Sequence, residues 1–161
     1  MMPQEPVRDI MRRTIANLEF VEAYATLNGP YRTTQLLNSL LGALAYPWEQ
    51  FYDHPAMKLS VAEAIEQGWP KVNKERAGDL EPDHLSDLVR LLRNGIAHGN
   101  VAFRPGPNGE VAGLRIWNES RGKRNWGTAL STEALRSFLF CFAKLAEQLC
   151  EEEIRRRRRR A

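Results

Sequence analysis

The sequence predicts a mainly α-helical fold, a bundle of four main helices with a small antiparallel β-hairpin or three-strand insertion before the last helix. Three observations carry this. Apolar residues recur at helical spacing in four long stretches, near residues 6–27, 32–45, 82–98 and from 131 onward. The period changes only once, after Gly99, where short apolar runs flank Pro105-Gly106-Pro107-Asn108-Gly109, a strong turn signal. At 161 residues the chain fits one domain with a core of its own.

Pro6 opens the first helix, which the spacing carries to about Leu27. Val7, Met11, Leu18, Val21 and Ala25 mark its apolar stripe, Ile10 and Ile15 lie beside it, and Gly29-Pro30 ends it. The second helix spans Arg32 to Ala45 with Leu37, Leu40, Leu41 and Leu44 inward. Pro47, which has no N–H to donate and crowds the preceding turn, stops it. Asn38 beside that stripe reads as an interhelical hydrogen-bonder. Residues 48–80 form an excursion rich in Pro, Gly and charge. Inside it Ser60-Val61-Ala62-Glu63 has the spacing of a capping box, which starts a short helix through Ile65 that Gly68 closes. Trp48, Phe51, Tyr52 and Trp69 read as caps on a core edge in preference to a shelf for bases.

Pro82, with its fixed φ, suits the first position of the third main helix, whose Leu85, Leu88, Val89, Leu92 and Ile96 face inward. His84 in its first turn and His54 before Pro55 read as surface histidines. After Gly99, Val101–Phe103 and Val111–Trp117 read as strands, with a third over Asn125–Ala129. Between the last two lies Glu119-Ser120-Arg121-Gly122-Lys123-Arg124-Asn125-Trp126. Arg121, Lys123, Arg124 and Trp126 suit a phosphate-and-stack contact with RNA, and a solvated hairpin tip explains the same residues equally well. Ser131 caps the last helix, with Glu133 in its first turn and a Leu130–Leu135 staple. Leu135, Phe138, Leu139, Phe142, Leu145, Ala146 and Leu149 give it a broad apolar face.

The net charge of +3 conceals an acidic body. Arg155–Arg160 form a terminal run, and without it the chain is net negative. Residues 1–154 are therefore read as a single domain and 155–161 as an arginine-rich tail, either a solvated helix end or an RNA contact through counterion release. Cys141 and Cys150 are nine apart on one helix, on opposite faces, and cannot pair with each other. Two free thiols, a charged N-terminal segment and the lack of a long apolar run point to the cytoplasm, with no membrane partner. No spacing calls for a metal or another cofactor.

The chemistry concentrates in Leu91–Asn100, LLRNGIAHGN. Arg93 offers paired N–H groups to phosphate oxygens, Asn94 an amide, and His98 a ring that accepts or donates a proton near neutral pH. Asn94 and His98, four apart, share a helix face, whereas Arg93 and His98 diverge by roughly 140° on an ideal helix. Three arrangements reconcile them: the Arg93 stem curls round, the helix bends at Gly95, or a second copy supplies the missing group, the option favoured here because a C2 pair presents the same segment twice. From spacing alone a simple polar helix end, with Gly99 beyond its last turn, accounts for the pattern better.

Arg93-Asn94, three residues and then His98 resemble the Arg–polar–His signature of the HEPN superfamily (higher eukaryotes and prokaryotes nucleotide-binding). Tyr31-Arg32-Thr33-Thr34-Gln35-Leu36-Leu37-Asn38-Ser39-Leu40-Leu41-Gly42, followed by Tyr46-Pro47-Trp48-Glu49, is similar to an early helix in one branch of prokaryotic HEPN nucleases. The resemblance implies a metal-independent endoribonuclease with Arg93, Asn94 and His98 as catalytic residues in a cleft between two protomers of a homodimer, acting as a toxin or phage-defence effector, with an antitoxin as its partner. The alternative is a non-catalytic RNA- or nucleotide-binding or dimerisation module, or an antitoxin or immunity partner. Some family members carry a tyrosine two residues after the histidine, where a partner enzyme modifies it; this chain has Asn100 there, which puts that regulation in doubt.

Overall fold

The computed structural model describes residues 4–24, 31–107 and 109–160. In chain order they form α1 (Gln4–Tyr24), α2 (Arg32–Phe51), a 3₁₀ turn (Pro55–Lys58), α3 (Val61–Glu66) and α4 (Leu85–Ala97), then β1 (Val101–Pro105), β2 (Val111–Ser120), β3 (Lys123–Ser131) and α5 (Thr132–Arg158). The structure is thus mostly helical, with four long helices and a three-stranded antiparallel sheet before the last. The chain divides into two compact units, one made of residues 1–51 with 139–161 and the other of residues 52–138.

In the first unit α1 packs along α2. Val7, Met11 and Leu18 are buried on α1, with Ile10, Ile15 and Val21 half-buried beside them. Ala25–Leu27 and the Gly29-Pro30 stop lie outside the described residues. Contrary to expectation, α2 does not stop at Pro47 but runs through it to Phe51. A proline inside a helix costs about 3 kcal/mol. Here Leu36, Leu40, Ala43, Leu44, Pro47 and Phe51 form one buried line, and burial of Phe51 and its apolar neighbours, at about 1.5–3 kcal/mol per large side chain, offsets that cost. The inward face is turned accordingly: Leu37 and Leu41 are half-buried and Asn38 is exposed, so it bridges no helices. Ser39 takes the buried polar place, its hydroxyl accepting from Gln35 Nε2 at 3.2 Å. On α5, Arg8 of α1 meets Glu147 and Glu151 at 4.0 and 3.9 Å. Cys141 and Cys150 are in no disulfide among the described residues, and burial pushes the Cys150 thiol up to about 11.

The second unit begins with tightly capped short elements. His54, which the sequence places on the surface, is half-buried and caps the 3₁₀ turn, its Nδ1 accepting from the Ala56 N–H at 3.2 Å. The Ser60–Glu63 capping box forms in full, and Gly68 follows the helix it starts. Trp69 packs edge-on against Phe138 at 5.2 Å between ring centroids, and Phe51 is buried, but Tyr52 is exposed. Pro82 is not the first residue of α4. Residues 82–84 stay extended because their backbone is already engaged: Val61 N donates to Asp83 O, Leu85 N donates to Leu59 O, and Ser60 pairs with His84. The helix therefore starts at Leu85, with His84 as its exposed N-cap and its N–H donating to the Asp87 carboxylate at 3.3 Å.

The sheet has the order β1-β2-β3, all antiparallel. Both β2 and β3 are longer than expected and meet in a two-residue turn at Arg121-Gly122, where both φ angles are positive (52° and 72°), as the right-handed twist of a hairpin favours. Ser131 Oγ accepts from Ala134 N at 3.1 Å and caps α5, with Leu130 and Leu135 buried on either side of the cap. α5 crosses Ile154–Arg155 without a break and reaches Arg158.

α4 lies directly on β2. A Cβ on Gly95 would stand 2.6 Å from Ile116 Cγ2 and 2.7 Å from the Trp117 carbonyl oxygen. By contrast, Gly42 of α2 is exposed with open space around it. Alanine gains about 1 kcal/mol over glycine in a helix, so Gly42→Ala is expected to stabilise the protein by up to that amount. Gly95→Ala is expected to destabilise it by about 1–3 kcal/mol through overpacking. Urea unfolding followed by circular dichroism checks both signs.

Candidate active site

The inward arc of α4 is set by Leu85, Leu88, Val89, Leu91, Leu92, Gly95 and Ile96, all buried. Arg93 and Asn94 sit just outside its two edges, both half-buried, and His98 is exposed at the C-cap. The helix does not end at Gly95 but continues to Ala97. It then closes with Gly99 N donating to Ile96 O at 3.0 Å and Asn100 N to Gly95 O at 2.8 Å, the paired bonds of a Schellman ending, with Gly99 at φ +70°. Asn100 O accepts in turn from Trp117 N at 3.1 Å. The helix end is thereby tied to β2 at the residue where β1 is about to begin.

Within one chain the Arg93 side chain reaches as far as Asn94. The Arg93 stem turns toward its neighbour, and Nη1 donates to Asn94 Oδ1 at 3.2 Å. Asn94 shares its face with His98 one turn on, and its carbonyl accepts the His98 N–H at 3.0 Å. The His98 imidazole makes no hydrogen bond or ion pair among the described residues. The result is a short row of guanidinium, amide and open imidazole along the last turn of a rigidly seated helix. Such a row has the groups to hold a phosphate and move a proton beside it.

The second candidate stretch divides in two. Arg121 and Lys123 are exposed at and beside the hairpin tip. Trp126 is only 1 % exposed, so both faces of its ring are used in packing and it offers no stacking surface for a base. Arg124 is also withdrawn from solution. Its Nη2 donates to Glu75 Oε2 at 2.7 Å and to Asp79 Oδ2 at 3.0 Å, while Arg115 Nε donates to both Glu75 oxygens at 2.9 Å. The Arg124 guanidinium lies across Gly127, in the space a Cβ there would fill. Around this network Glu75 N donates to Gly127 O, Leu80 N donates to Asn125 O, and Thr128 Oγ1 donates to Asn73 O. The loop 73–80 is thus fastened along the free edge of β3. Glu75 and Asp79 lie 49 and 45 residues before Arg124, and no local pattern marks them as its partners. Among the described residues no three His, Cys, Asp or Glu side chains gather closely enough to hold a metal ion, and no helix is long and apolar enough to cross a membrane.

A family model described as HEPN pEK499 p136 matches residues 1–153, which include α4 and its Arg93–His98 row. The chain belongs to this HEPN family. The resemblance read from residues 31–49 and 93–98 therefore holds, and it puts the protein in a superfamily of nucleases and RNA-binding proteins. No curated protein and no solved structure matches the chain. The match spans residues of both compact units and stops just short of the arginine run.

In this HEPN chain the loop clamp has a pH signature. Burial works to raise the Glu75 carboxyl, but the hydrogen bonds and charges of Arg115 and Arg124 outweigh it and hold the group below the usual carboxylate range. A depressed carboxyl contributes stability above its unfolded value of 4.5, and that contribution is lost as pH falls through the lower folded value. Urea midpoints measured from neutral pH down to about pH 2 are expected to fall less steeply below pH 4.5 in Glu75→Gln than in the parent. Parallel curves would remove Glu75 from the clamp.

Proposed function

We propose that this HEPN protein is a metal-independent endoribonuclease that uses the substrate's own 2′-hydroxyl as nucleophile. His98 takes the 2′-hydroxyl proton, the O2′–P bond forms, the P–O5′ bond breaks, and a proton returned by a histidine leaves a 5′-hydroxyl beside a 2′,3′-cyclic phosphate. Arg93 stabilises the charge that gathers on the phosphoryl oxygens, and Asn94 holds Arg93 and orients the phosphate. The nucleophile is already in the substrate, so the reaction needs no activated water. The observation that supports this reading most is the Arg93–Asn94 hydrogen bond at 3.2 Å on the helix face that carries the open His98.

In this proposal two chains pair so that two such rows line one groove. A pair supplies a second imidazole as the acid that serves the leaving oxygen, a role a single His98 fills only by returning the same proton. The protein then acts as a toxin or phage-defence effector, with a dedicated antitoxin as its partner. A non-catalytic phosphate grip is the second reading. Its support is that no group among the described residues orients the His98 ring, whereas catalytic histidines are commonly held by a third residue.

Incubation of RNA with purified protein is expected to give cyclic-phosphate ends, with unchanged activity in EDTA. Replacement of a group used in acid–base catalysis typically costs about 10²–10⁴ in rate, and loss of an oxyanion-type donor about 10²–10³. His98→Ala and Arg93→Ala are expected to fall in those ranges with unaltered circular dichroism, and to relieve growth arrest on expression. Dependence on added metal, or full activity in His98→Ala, would contradict the mechanism. RNA binding without any cleavage would favour the second reading.

A further inference from the structure

The last turns of α5 carry an arginine cluster that the proposed cleavage site does not use. Arg155–Arg158 continue the helix, and Arg159 N still donates to Arg155 O at 3.2 Å. At 100° per residue, Arg155, Arg156, Arg159 and Arg160 fall within an arc of roughly 140°. They line a cleft of about 320 Å³ together with Glu152, four guanidinium groups against one carboxylate. The acidic run just before them neutralises two arginines: Glu151 holds Arg155 at 3.1 Å and Glu153 holds Arg157 at 2.9 Å. Arg156, Arg159 and Arg160 form no direct ion pair among the described residues, although the Glu153 carboxylate feels the charges of Arg156 and Arg160, and all three are exposed.

We infer that this cleft is a binding surface for the phosphate backbone of single-stranded RNA; its identity as RNA rests on the ribonuclease reading above. Guanidinium forks match phosphate oxygens in pairs. The spacing of the three open arginines along one helix face suits a polymer whose charges repeat, and release of its counterions drives the association. Every residue that lines the cleft is charged, so its apolar surface is only that of the side-chain stems. A protein partner would bury an apolar centre, and a membrane surface would need apolar side chains to insert beside the cations. A polyphosphate chain needs neither. This surface also gives a net-acidic body a place to gather its substrate.

The test uses the full chain in a His98→Ala background, so that cleavage does not enter, and a labelled unstructured RNA of about 20 nucleotides at about 100 mM salt. The combined variant Arg156→Ala/Arg159→Ala/Arg160→Ala is expected to bind roughly tenfold or more weakly. Its log K against log salt should flatten by up to about 2, at about 0.7 for each phosphate no longer neutralised. A charge-matched variant of exposed arginines elsewhere, Arg12→Ala/Arg13→Ala/Arg104→Ala, is expected to weaken binding by less than about twofold. Equal weakening in the two variants would reduce the cleft to diffuse charge and overturn the assignment. So would tighter binding of polyglutamate or of phosphatidylserine vesicles than of RNA. If the His98-bearing protein fails to cleave RNA but the three arginines still govern binding, the cleavage reading falls and the cleft assignment stands.

Discussion

The seat of α4 on β2 depends on the absence of one side chain. At Gly95 the place of a Cβ is taken by the Ile116 methyl and the Trp117 carbonyl, so helix and strand approach more closely than any other residue would permit. That approach fixes the rotation of the helix about its own axis. Leu88, Leu91 and Leu92 then turn inward, and Asn94 and His98 are carried to the outer flank. The Schellman ending and the Trp117–Asn100 hydrogen bond lock the same turn from its other end. A glycine in mid-helix lowers helix propensity, and here it lets α4 sit close on β2, which sets the rotation that leaves His98 exposed at the helix end.

The arginines of this chain are sorted by the carboxylates within their reach. Arg124 has two, Glu75 and Asp79, and becomes a fastener between a loop and a strand. Arg155 and Arg157 have one each a turn earlier and act as helix-surface pairs, which contribute a few tenths of a kcal/mol apiece. Arg93 donates to an amide oxygen, that of Asn94. Basic residue counts along the sequence therefore say little until the acidic partners are located, and the net charge of +3 is a poor guide to any one surface.

Local rules are legible wherever the deciding interactions are local. The capping box at Ser60–Glu63, the Ser131 cap, the glycine at the end of α4 and the helical stripes of α1 and α5 all follow from residues within one or two turns of each other. The Arg93–Asn94–His98 row is legible as residues, but its geometry is not: the turn of the Arg93 stem depends on side-chain packing that spacing does not encode. Where sequence and structure part, distant interactions prevail. Pro47 stays in a helix because it lies on a buried line with Ala43, Leu44 and Phe51, and Pro82 stays out of one because residues 59–61 have engaged its neighbours' backbone. Arg124 and Trp126 read as a nucleic-acid contact because Glu75 and Asp79 lie far away in sequence, and because one basic hairpin contains both an outward tip and an inward stem.

The most direct test of the α4 row is to see whether a phosphate diester settles there. Adding a 2′-deoxy dinucleotide, which binds but lacks the attacking hydroxyl, should shift the NMR signals of the His98 ring and the Arg93 Nε–H together. The Arg124 Nε–H and the Trp126 indole should remain still. Movement of Arg124 and Trp126 with a silent His98 would place the phosphate on the hairpin and contradict a site on α4.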